Sequence, residues 1–267
     1  MSTKRISIVA LSACVLLLTG CFRPNYSAKA DVGVTFYVPG AGNVDFGDAG
    51  VREGLQAAGY RGEVAAYMWT ISFNPAIDQT IRLNARLRAK RLAKIIEEYM
   101  EKYPERPVNL VGLSAGSGIA IWALENLDPK YKVENVVLLS SSLWHRYDVG
   151  KALERVKGRV FVYYSPYDSV LSGPMKIFGT IDGVFGEDGA GAVGLHSPSG
   201  GSRIVNISWR AEYRQYGYNG GHVDSTSAPF VRTFLSKHLL TPETAGDTSG
   251  VKLASPTEQS APVARAR

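Results

Sequence analysis

Between residues 32 and 239, short apolar runs alternate with longer stretches whose apolar residues recur every three or four positions. The first pattern reads as strands and the second as helices with one buried stripe. Val32, Val34, Phe36 and Val38 alternate in the β manner and stop at the loop signal Pro39-Gly40-Ala41-Gly42. Residues 49–58 predict a short helix ended by Gly59, and Val64 to Trp69 a second strand. Ile77 to Tyr103 predicts a long helix, because Ile81, Ala85, Ala89, Leu92, Ile96 and Tyr99 share one face. Its other face carries Arg82, Arg86, Arg88, Lys90, Arg91 and Lys94 and reads as a solvated surface. Val108 to Leu113 reads as an apolar strand, as in a sheet covered on both sides, and Val133 to Leu139 as another buried strand. A helix over Ala115 to Leu127 ends at Asp128-Pro129. A short helix over Val149 to Val156, strands over Arg159 to Tyr164 and Arg203 to Trp209, and a helix over Ala228 to Leu239 complete the series.

This alternation predicts an α/β fold: a mostly parallel sheet with helices on both faces. Right-handed crossovers then bring the loops that follow the strands to one edge, where sites in such sheets lie. The stretch after Ser140 is too short for a large cap domain. Residues 171–202 are rich in Gly and hold no long periodic segment; the tail from Thr241 to Arg267, rich in Pro, Ser, Thr and Ala, predicts disorder.

Composition changes the picture mainly at the N-terminus. Lys4 and Arg5 precede an apolar run, Ile6 to Leu18, of signal-peptide length. A membrane span needs roughly 20 apolar residues, so this run is too short to cross comfortably. It ends in Leu18-Thr19-Gly20-Cys21, which resembles the bacterial lipobox. That resemblance implies a signal peptide over 1–20 and acylation of Cys21, which would anchor the chain to a membrane of the bacterial cell envelope. An ordinary cleaved signal, or an uncleaved anchor with Cys21 incidental, is the alternative. Phe22 in place of Asp leans towards the outer membrane if the host has two membranes. The expected organisation is then a tether over 21–30, a catalytic domain over 31–240 and a tail over 241–267. Cys14 and Cys21 are the two cysteines, both in the targeting region, so the mature domain has no internal disulfide and no thiolate metal site. The net charge of +6 falls to +4 without Lys4 and Arg5. With no aromatic-studded basic patch, a nucleic-acid partner is not expected.

The candidate chemistry begins at Gly112-Leu113-Ser114-Ala115-Gly116, a G-x-S-x-G pattern. Alone it is weak. Here it joins a buried strand to an apolar helix, which puts the serine on a tight turn above the sheet edge. With this elbow, and with Asp168 and then His222 following in that order, residues 31–240 resemble the α/β-hydrolase family. The resemblance implies an acid after a strand two crossovers beyond the nucleophile, which is Asp168 after Arg159 to Tyr164. It also implies a histidine after the last strand, which is His222. In those roles Ser114 is the nucleophile, His222 the base and Asp168 the residue that orients it. The oxyanion donors would be the N–H of Ala115 and one from the loop after the first strand, most simply Ala41, although Pro39 replaces the family's common histidine there.

Rival residues are Asp148 and Asp224 for the acid, and His145, His196 and His238, which read as surface, loop and structural. No ligand-spaced histidines and no Walker-type lysine are present, so neither metal nor other cofactor is expected. Met175, Ile177, Phe178, Ile181, Val184 and Phe185 form either a lid or acyl-pocket wall or an ordinary packed loop. Trp69, Trp144 and Tyr167 are further pocket candidates. The expected function is a serine hydrolase acting on small-molecule or lipid carboxylic esters through an acyl-enzyme. The alternatives are an amide or peptide hydrolase and a non-catalytic lipoprotein of the same fold that binds an envelope partner.

Overall fold

Six strands, β1 (Val34–Val38), β2 (Glu63–Ala66), β3 (Val108–Leu113), β4 (Val136–Leu139), β5 (Val160–Tyr164) and β6 (Ile204–Ser208), form one sheet in the order β2-β1-β3-β4-β5-β6. All neighbouring pairs run parallel. The computed structural model describes residues 24–43, 47–70 and 82–246. The leader, Cys21 and the tail beyond Gly246 lie outside them.

Parallel strands need crossovers, and the helices that supply them cover both faces. Val34, Phe36, Leu110, Val136, Leu138, Val160 and Val162 point into one core, with Leu92 and Ile96 of α2 (Arg82–Lys102) and Ile119 and Trp122 of α3 (Ala115–Asn126). Tyr37, Val111, Leu113, Val137, Leu139 and Tyr163 point the other way. They meet Val51 and Leu55 of α1 (Gly47–Ala57) and the C-terminal segment. β3 and β4 are buried at every position and are apolar but for Asn109, whose side-chain amide donates to Leu239 O at 2.9 Å.

Several expected boundaries shift. The second strand stops at Ala66, and Trp69 instead turns its indole N–H onto Pro39 O at 2.8 Å, bracing the loop after β1. The last helix is interrupted: Ala228–Phe230 and Ser236–Leu239 flank a π-helical turn, Val231–Leu235. The basic face of α2 is not simply solvated. Arg86 lies over the Trp122 ring, 3.7 Å from its centre, and pairs with Glu125 at 3.4 Å. Its planar guanidinium stacks in a way an ammonium does not.

Packing also extends past both ends of the expected domain. Ala30 is fully buried and its carbonyl accepts from Tyr99 Oη at 2.7 Å. Thr244 is fully buried, and its carbonyl accepts from Arg61 N at 2.8 Å.

His238 has the structural role expected of it. Its ring stacks on Phe161 at 3.8 Å between centroids, and Nε2 lies 3.0 Å from Tyr163 Oη. Burial, with Lys237 nearby, pushes its pKa down from 6.5 to about 4. The native state therefore holds a neutral ring while the unfolded chain takes up a proton below pH 6.5. Stability is expected to fall as the pH drops from about 6.5 to 4, by up to about 3 kcal/mol, and to lose no more from this group below that. Urea unfolding of the wild type and His238→Phe across this range checks it; equal acid slopes would count against the assignment.

Candidate active site

The sheet order reverses at β1: β2 lies on one side of it and β3 on the other. Such a switch opens a crevice at the carboxyl ends of the strands. The loop after β1 and the turn after β3 border this crevice, and the segments after β4, β5 and β6 continue the same edge.

Ser114 occupies the turn between β3 and α3 with φ 52° and ψ −122°, a conformation costly for a side chain-bearing residue. Two close approaches hold the turn. A Cβ on Gly112 would meet Ser117 Cα at 2.7 Å, and one on Gly116 would meet Val38 O at 2.1 Å and Pro39 O at 2.4 Å. Only glycine lets the helix start so near β1. Ala115, at the first position of α3, is fully buried. Ala41 begins a 3₁₀ turn, Ala41–Asn43, in the loop that passes over Gly116, and it packs against the core.

Asp168 and His222, 54 residues apart in sequence, are brought together. His222 Nδ1 lies 2.7 Å from Asp168 Oδ2. The carboxylate side chain is fully buried and the imidazole side chain 16% exposed, so the Nδ1 end of the ring is held while the side chain keeps some access to solvent. The other carboxylate oxygen, Oδ1, accepts from Val170 N at 3.0 Å and Leu171 N at 3.1 Å, capping the short helix α4 (Ser169–Ser172). Both oxygens are thus committed, and the carboxyl group cannot turn freely. Tyr218 is fully buried nearby. Burial first, then the negative charges of Asp168 and Asp224, raise its phenol pKa, so it stays neutral beside the pair. Among the described residues the Ser114 hydroxyl and His222 Nε2 make no hydrogen bond; in unliganded enzymes such bonds often tighten only when substrate is bound.

The rival residues do other work. Asp224 Oδ2 accepts from Asn219 N at 3.1 Å and Gly221 N at 3.0 Å, closing the loop that carries His222. Asp148 is exposed and accepts from Gly150 N at 3.0 Å, which with Ser199 lowers its pKa. His145 Nδ1 lies 3.1 Å from Asp188 O, and His196 Nε2 3.1 Å from Val193 O. In residues 171–202, Met175 and Ile181 pack inside, while Ile177, Phe178 and Phe185 stay exposed, so the segment is part core and part surface. Of the aromatic candidates, Trp69 is buried as a brace, and Tyr167 is exposed with its ring edge-on to Trp209.

Sequence reasoning passed over Ser117 and the serine run 140–142. Ser142 N donates to Ser114 O at 3.3 Å, and Ser117 Oγ and Ser141 Oγ are 2.7 Å apart. The available signal was three consecutive serines directly after a buried apolar strand.

No family model and no curated protein matches the chain. Solved structures do resemble it. Carboxylesterase CesB of Bacillus subtilis is 12% identical over 81% of this chain and 86% of its own, with a TM-score of 0.42. The esterase domain of a Rhodothermus marinus protein is 12% identical over 81% and 92%, at 0.45. Aspergillus fumigatus lipase B is 14% identical over 82% of this chain and 55% of its own, at 0.48. The chain is similar to these proteins.

Proposed function

We propose that the chain is a serine hydrolase that cleaves carboxylic esters through an acyl-enzyme on Ser114. The observation that carries this reading is the 2.7 Å contact between the buried carboxylate of Asp168 and Nδ1 of His222, at the same sheet edge as a serine on a strained turn. Asp168 keeps the Nδ1 proton in place, leaving Nε2 as the base. His222 takes the proton of Ser114 as its oxygen attacks the ester carbonyl, then returns it to the departing alcohol. His222 then takes a proton from the water that attacks the acyl carbonyl and returns it to Ser114 Oγ as the Oγ–acyl bond breaks, releasing the carboxylic acid. The oxyanion formed at each attack is received by the N–H of Ala115 and, on this reading, of Ala41; one such donor is worth about 3–4 kcal/mol of barrier.

A fluorophosphonate probe tests the nucleophile, and a panel of short- and long-chain nitrophenyl esters beside peptide amides tests the substrate class. Faster turnover of amides than of esters would replace the ester reading with a peptidase.

We propose further that Cys21 is lipidated and holds the enzyme at the bacterial cell envelope, the outer membrane being favoured in a two-membrane host. The Leu18-Thr19-Gly20-Cys21 sequence supports this. Mass spectrometry of the mature N-terminus is expected to find acyl chains on Cys21, and Cys21→Ser is expected to leave the chain unacylated. An unmodified cysteine in the mature wild-type protein would refute the anchor.

A further inference from the structure

The peptide unit that carries the Ala115 N–H also carries the carbonyl of Ser114. That carbonyl accepts from Ser117 N at 3.1 Å, from Ser142 N at 3.3 Å and from Ser117 Oγ. A carbonyl has two lone-pair directions, so these donors crowd it. Behind Ser117 stands Ser141, with the two hydroxyl oxygens 2.7 Å apart, and Leu143 N donates to Ser141 Oγ at 3.3 Å.

The direction of this chain is forced. A carbonyl can only accept, so the one proton of Ser117 goes to Ser114 O. Ser117 Oγ must then accept from Ser141, whose own oxygen takes the Leu143 N–H. The order is Leu143 N–H, Ser141, Ser117, Ser114 C=O. Both serines are fully buried, so the chain is shielded from water.

We propose that Ser117 and Ser141 are positioning residues for the oxyanion hole, holding and polarising the Ser114–Ala115 peptide from behind. The proposal rests on Ser114 being the nucleophile. Hydrogen bonds in series inside a protein reinforce one another. Density drawn to the carbonyl oxygen leaves the N–H of the same amide a stronger donor, aimed where the oxyanion forms. A helical serine bonding back one turn is common and would account for Ser117 alone. It does not account for a second buried hydroxyl, supplied from the segment after β4 and committed to donate into the first, nor for Ser142 N on the same carbonyl.

The test compares Ser117→Ala, Ser141→Ala and the double variant in the full chain, with nitrophenyl butyrate as substrate and thermal melting as a control for folding. Each single variant is expected to lower kcat about tenfold, a fraction of the roughly 10²–10³-fold that loss of an oxyanion donor costs, with KM within about twofold. Because Ser141 acts through Ser117, the double variant falls no further than Ser117→Ala. Ser141→Cys, which keeps a weak donor of similar size, recovers part of the loss. Multiplicative losses, or unchanged kcat in folded variants, would overturn the proposal. The amide proton of Ala115, followed by NMR, reads the same coupling without turnover. It is expected to move upfield in both single variants, and its failure to move overturns the proposal even if the wild type is inert. Inertness towards the fluorophosphonate counts separately, against the hydrolase reading.

Discussion

Ser114→Ala is expected to remove fluorophosphonate labelling and to cut ester hydrolysis by at least about 10⁴-fold while the protein stays folded. Alanine keeps the Cβ that the backbone at φ 52° already tolerates, so the exchange adds no strain to the turn. No neighbouring serine replaces the lost hydroxyl: Ser117 and Ser141 are buried and committed to each other, and Ser140 and Ser142 are buried after β4. Mass spectrometry of probe-treated wild type and variant, with melting curves beside it, decides the matter. Retained labelling or hydrolysis in the variant would move the nucleophile elsewhere. A well-folded wild type that takes no probe would favour the non-catalytic, partner-binding alternative.

Asp168→Asn is expected to lower kcat by about 10³–10⁴-fold with little loss of stability. The local geometry dictates how the amide must sit. Oδ1 of residue 168 accepts from two backbone N–H groups, Val170 and Leu171, so the amide oxygen of asparagine has to take that place. Its NH₂ then faces Nδ1 of His222, which must accept, and the ring proton is driven to Nε2. A protonated Nε2 cannot take a proton from Ser114. Asparagine still caps α4 as aspartate does, so folding is spared, whereas Asp168→Ala would lose the cap at about 1 kcal/mol as well. Steady-state kinetics with urea unfolding separates the two effects. An Asn variant within about tenfold of wild type would show that the 2.7 Å contact does not serve catalysis.

Legibility followed burial. β3 is expected at Val108 to Leu113 and is found there, because a strand covered on both faces is apolar except where a buried partner takes its polar group, as Leu239 O takes the Asn109 amide. The apolar pattern carries β2 on to Trp69, but the strand ends at Ala66, and Trp69 serves the loop after β1 through its N–H. Ala30 falls in the expected tether and Thr244 in the expected tail, yet both are buried, through contacts with Tyr99 and Arg61 that no local pattern announces.

The candidate site divides in the same way. Ser114 could be read from its two glycines because the close approaches they permit are local, between a strand and the helix that follows it. The serines behind the elbow could not, since a hydroxyl in sequence carries no direction; only the packing of the segment after β4 against α3 decides where Ser141 points. Asp224 lies two residues from His222 in the chain, but folding spends its carboxylate on the loop backbone and brings Asp168 to the ring from 54 residues away. The order of residue types along the chain sufficed to nominate the site. Which groups meet depends on how six parallel strands align their carboxyl ends, and that alignment is a property of the assembled sheet.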